Sequence, residues 1–115
     1  ARDVNGVKVL ATVVENIGRD ELRDLGEALR DKLGSGVVVL GAAVDGRPAL
    51  IVAVTADLVK SAGVKAGDVV KEVAAVAGGG GGGRPDFAQA GGGDISKLEA
   101  AIEAAADIVG RRLPA

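Results

Sequence analysis

The chain has 115 residues and a formal net charge of −2, a size that fits one domain and a balance that gives nucleic-acid binding no bulk electrostatic support. Neither Cys nor His occurs, which excludes disulfides, Cys- or His-based zinc sites, thiol nucleophiles and Ser–His–Asp chemistry within it. Apolar residues make up 48% but are chiefly Ala and Val, and Phe87 is the only aromatic; the core is small and aliphatic, and a base-stacking platform has no material.

In chain order, Val7 to Val14 reads as a strand, rich in β-branched residues and bounded by Asn5-Gly6 and Asn16-Ile17-Gly18. Arg19 to Leu33 reads as a helix, with Asp20 as N-cap or first-turn acid. Leu22, Leu25, Leu29 and Leu33 form its apolar stripe and Gly34 its stop. Its charged residues, Arg23, Asp24 and Glu27 among them, read as a solvated face. Val37 to Val44 and Ala49 to Val54 are almost uninterrupted apolar runs, which predicts central strands covered on both faces. Asp45-Gly46-Arg47-Pro48 between them is a turn signal, so the two pair as a hairpin.

Thr55 to Ala62 predicts a short capped helical turn. Asp68 to Ala77 has apolar residues at helical spacing, and Gly78 supplies its stop. The glycines that follow read as a loop and Phe87 to Ala90 as a short extended segment. Asp94 then caps a last helix reaching about Arg112, whose stripe is Leu98, Ala101, Ile102, Ala105, Ile108 and Val109. The order implies an α/β fold: a single mixed sheet of about four strands flanked by helices, in one globular domain over 1–115. No apolar run has membrane-spanning length and no signal peptide is visible, which predicts a cytoplasmic protein. The start at Ala1 and the lack of any Met predict a piece of a larger protein.

The distinctive stretch is Gly78 to Gly83, six glycines running into Arg84-Pro85-Asp86. Bare backbone beside a guanidinium offers amides and a cation to an anion, of which phosphate is the common case. Six glycines match a dinucleotide fingerprint trivially. That fingerprint follows a strand and opens a helix, and Pro85 disfavours a helical Arg84. A Walker A loop needs Lys-Ser/Thr after its last glycine, and Arg84-Pro85 does not supply it. A flexible interdomain linker is the plain alternative. Against it, only about thirty residues follow, too few for a second core. Gly91 to Gly93 then repeat the demand for small residues.

The segment AGGGGGGRPDFAQAGG, residues 77–92, resembles the signature of the DHH-associated domain, in the C-Ala version that ends alanyl-tRNA synthetases. Val64 to Val73 resembles that family's lead-in helix, and Asp94 with Lys97-Leu98-Glu99-Ala100-Ala101 its closing helix. The resemblance implies a non-catalytic module, without cofactor or metal, that touches the elbow of alanine-specific tRNA and supports aminoacylation and editing. It implies RNA-facing residues Gly81, Gly82, Gly83 and Arg84, with Gln89, Gly91 and Gly92 beside them, and no catalytic residue. A weak outer ring of Lys60, Lys65, Lys71 and Lys97 is expected around Arg84. Homodimerisation occurs in some members of the family. The sequence departs from the family at Gly80 and Gly93, where members often carry a basic residue and Lys or Thr. Two other readings stand beside this one: the nucleotide- or strand-binding half of a DHH-type phosphoesterase, and a dimerisation module.

Overall fold

Apolar residues on both faces of the central strands require cover on both sides, and that demand organises the chain. The computed structural model describes residues 2–113. Strands β1 (Arg2–Val4) and β2 (Val7–Val13) precede helix α1 (Arg19–Leu33). Strands β3 (Val37–Val44) and β4 (Arg47–Val54) follow, then helices α2 (Ala56–Ser61) and α3 (Ala66–Ala77). Strands β5 (Gly80–Gly83) and β6 (Phe87–Gly91) lead through a 3-10 turn (Ile95–Lys97) into α4 (Leu98–Arg112). The strands form one sheet in the order β1-β2-β3-β4-β6-β5. Only β2 and β3 run parallel, joined by the α1 crossover; the other neighbours are antiparallel.

Alternation along β3 and β4 divides the core. Val38, Leu40, Ala49, Ile51 and Ala53 face α1, whose Leu22 is fully buried there beside Phe87. Val37, Val39, Leu50, Val52 and Val54 face the other way, onto α3 and α4. With so few large side chains, close approach replaces bulk. A Cβ on Gly26 of α1 would stand 2.9 Å from Ile51 Cγ2. One on Gly41 of β3 would stand 2.9 Å from both Ile102 Cδ1 and Leu98 Cδ1 of α4. Ala101 and Ala105 are completely buried on the same helix. Arg112, in the last turn of α4, ties that helix to α3 with a 2.7 Å bond to Glu72 and a 3.7 Å approach to Asp68.

The sheet has six strands where the sequence predicts about four. One addition is β1, folded back on β2 by Asn5-Gly6, with φ of 51° and 85° at the turn. Asp45-Gly46 turns β3 into β4 in the same way, with φ of 52° and 75°. The other addition is β5, built from the glycines expected to form a loop. Glycine has poor intrinsic strand preference, so only pairing with β6 makes this segment extended. Helix α1 has the expected bounds, with Gly18 as its N-cap, the Gly18 amide donating to Glu21 at 3.3 Å, and Asp20 as a first-turn acid. Two other helix boundaries differ. Helix α3 starts at Ala66, two residues before Asp68. Asp94 caps the 3-10 turn, accepting from the Ser96 amide at 2.9 Å, and α4 starts only at Leu98. Among the described residues no helix is long and apolar enough to cross a membrane.

Substituting Gly26→Leu forces side-chain atoms into Ile51. It is expected to lower stability by about 1–3 kcal/mol, read as a fall in the urea midpoint at unchanged m-value.

Candidate nucleic-acid interface

The glycine strand forms an edge of the sheet. Its register on β6 pairs Gly80 with Gly91, Gly81 with Ala90, Gly82 with Gln89 and Gly83 with Ala88. Arg84, Pro85 and Asp86 make the connection, which is fastened on three sides. The Arg84 amide donates to Phe87 O at 2.9 Å, the Val54 amide to Asp86 O at 2.9 Å, and the Ala66 amide to Pro85 O at 2.7 Å. The connection is thereby held by its own hairpin, by β4 and by the first turn of α3. Bonding alternates along an antiparallel ladder. The Arg84–Phe87 bond therefore turns the N–H and C=O groups of Gly80 and Gly82 toward β6 and those of Gly81 and Gly83 away from it, Gly81 to the open edge and Gly83 to Gly67 of α3.

The odd-numbered glycines have an internal cause. A Cβ on Gly79 would stand 2.6 Å from Gly92 O, and one on Gly83 2.7 Å from Ala88 Cα. One on Gly81 would collide with Ala90 Cα and Gln89 O. These are backbone atoms of a paired strand and its exit, and they cannot yield. Gly80 and Gly82 differ. Around a Cβ on Gly80 nothing lies within 4 Å, and a Cβ on Gly82 would meet only the flexible end of Lys71, at 3.4 Å. Neither has the positive φ that would demand glycine. Packing accounts for Gly79, Gly81 and Gly83, the left-handed cap of α3 accounts for Gly78 (φ 83°), and Gly80 and Gly82 are left bare without an internal reason.

Charge is distributed around this edge. Arg84 is 72% exposed, and its guanidinium stands 3.5 Å from the Asp86 carboxylate. Asp86 is also approached by Arg30 at 3.9 Å, and Arg30 Nη1 donates to the Asp86 carbonyl at 3.2 Å. An ion pair this exposed is worth about 0–1 kcal/mol, so it leaves Arg84 available to an incoming anion. Of the four lysines expected as an outer ring, Lys71 reaches Gly82, and Lys65 adjoins the Ala66 amide bound to Pro85. Lys60 sits on α2 and Lys97 in the 3-10 turn, whereas β5 packs chiefly on α3 and β6.

All seven residues expected at the site lie on this hairpin or just beyond its end. Gln89 is exposed on the same face of β6 as Phe87, the α1 side, and pairs directly with Gly82. Gly91 pairs with Gly80, and the Gly92 amide donates to Pro48 O at 3.1 Å. Sequence reasoning missed Arg19 and Arg23. An open groove between α1 and the hairpin is lined by Arg23 with Gly82, Gly83 and Gln89, and farther along by Arg19 with Gly80 and Gly91. Helical periodicity assigns such residues to solvent; which strand lies across from them is set by the crossover. Among the described residues no group of three or more acidic, His or Cys side chains is placed to hold a metal ion.

The DHHA1 domain model matches residues 6–111. The chain belongs to the DHHA1 domain family. Within that family it is 58% identical over 111 residues to an alanine–tRNA ligase of Desulfosudis oleivorans. It is 56% identical over 113 residues to one of Anaeromyxobacter dehalogenans. These alignments cover 96% and 98% of this chain but 12% of each relative, so the chain spans about an eighth of their length. The crystal structure of the C-Ala domain from Aquifex aeolicus alanyl-tRNA synthetase superposes with a TM-score of 0.84 at 29% identity. That match covers 95% of this chain and 96% of the other.

For this DHHA1 domain the two kinds of glycine separate experimentally. Gly81→Ala and Gly83→Ala are expected to lose about 2–4 kcal/mol of stability through overpacking against β6. Gly80→Ala and Gly82→Ala are expected to hold or gain up to about 1 kcal/mol by restricting the unfolded chain. Chemical denaturation of the four variants decides it, and equal losses at all four positions would contradict the alternation.

Proposed function

We propose that this domain is the non-catalytic tRNA-binding module of an alanine–tRNA ligase, seated on the elbow of alanine tRNA and supporting aminoacylation and editing by the rest of that enzyme. The observation that carries the reading is the open glycine edge, with an outward amide at Gly81, beside an arginine that its own fold scarcely uses. Backbone amides and a guanidinium both suit phosphate oxygens, and the guanidinium can bind two of them at once. A surface without Cβ atoms at Gly80 and Gly82 admits a ribose-phosphate ridge to near contact with the main chain. Gln89, between Gly82 and α1, offers both a donor and an acceptor to a 2′-hydroxyl. With a net charge of −2, recognition rests on shape and a few local contacts.

The relatives support this reading over the phosphoesterase one, because those quoted above are ligases. A gel-shift titration with alanine tRNA tests it. Arg84→Ala is expected to weaken binding by about 1–3 kcal/mol, the range for a hydrogen bond to a charged group. Unchanged affinity would remove Arg84 from the interface, and a wild-type domain that retains no tRNA would sink the reading.

A further inference from the structure

We infer that β5 is a two-point clamp for a ribose-phosphate strand, with Arg84 holding it at one end and Arg19 of α1 at the other. The inference rests on the tRNA-binding reading and assigns a second phosphate site within it. Two adjoining depressions lie on the α1 side of the hairpin, with Gln89 lining both. One holds Arg84 and Arg23 but also the carboxylates of Asp24 and Glu27. The other is lined by Arg19, Gly80, Gln89, Ala90 and Gly91, with no acid among them. The more favourable seat for an anion in the groove is therefore beside Arg19.

Arg19 also lacks an evident structural duty. It is exposed, and among the described residues no ion pair engages it or Arg23. It stands at the first position of α1, where the positive end of the helix dipole disfavours a cation. Arg23 follows four residues later, so the two guanidinium groups rise from one face of the helix. The strand between the two ends has a matching length. Gly80 to Arg84 is four residue steps of extended chain, about 13 Å, which is longer than a single phosphate group. Arginines seated at the two ends of such a span would serve different phosphates, with Gly80 and Gly82 lining the depressions between them.

The test is a gel-shift titration of the domain with transcribed alanine tRNA at several salt concentrations, with thermal melts of each variant as a folding check. Arg19→Ala is expected to lower affinity about tenfold with an unchanged melt. Its dependence of log K on log salt is expected to flatten by about one unit. Arg84→Ala should do the same, and the double variant should compound the two losses. Lys8→Ala, which removes the same charge from β2 toward the opposite edge of the sheet, is expected to leave affinity unchanged. If Arg84→Ala weakens binding while Arg19→Ala matches Lys8→Ala, the clamp is overturned and the tRNA reading stands. If wild-type domain does not bind the tRNA at all, both fall together.

Discussion

The close approach of β5 to β6 is the constraint on which the rest of the site depends. Backbone of one strand occupies the space that Cβ atoms of the other would need at residues 79, 81 and 83. No residue but glycine satisfies that contact without displacing main chain. Gly81 also presents its amide at the border of the sheet, so one position both meets the packing demand and offers an opening to solvent.

An edge strand with free amides invites unwanted pairing. Here it is short, only four residues, and it stands beside α3. Gly67, in the first turn of that helix, lies against the Gly83 carbonyl; a Cβ there would stand 3.0 Å away. The helix start also binds Pro85 O through the Ala66 amide. The glycine segment is consequently held at its turn by sheet and helix together, rather than hanging as a tether. An arginine carried on such a turn has a defined position although its side chain is largely exposed. That geometry suits recognition by shape, in which little ordering entropy is lost on contact.

The core follows a related economy. A composition dominated by Ala and Val cannot fill wide gaps between layers, so the layers come together instead. Gly26 brings α1 onto Ile51, and Gly41 brings β3 under Leu98 and Ile102. Position of α1 matters for the site as well as for stability. Its approach to the sheet sets the width of the groove in which Arg19 and Arg23 face the hairpin.

Local patterns were enough to read α1 to the residue, the β3–β4 hairpin and α4 within a turn. In these segments the apolar period and the turn chemistry agree, so neighbours along the chain suffice. The extra strands and the two α1 arginines were not legible for a common reason. Gly80–Gly83 has no side chains to carry a period, and Arg2–Val4 is too short to show one; both become strands only by pairing with the strand that follows. Arg19 and Arg23 look like any solvated helix face until the parallel β2–β3 crossover lays that helix along the groove. What the amino-acid order determined by itself is where backbone is bare and where it turns. Only the tertiary structure decided which bare positions are filled by a neighbouring strand and which are left open, because that depends on contacts between segments that no local pattern encodes.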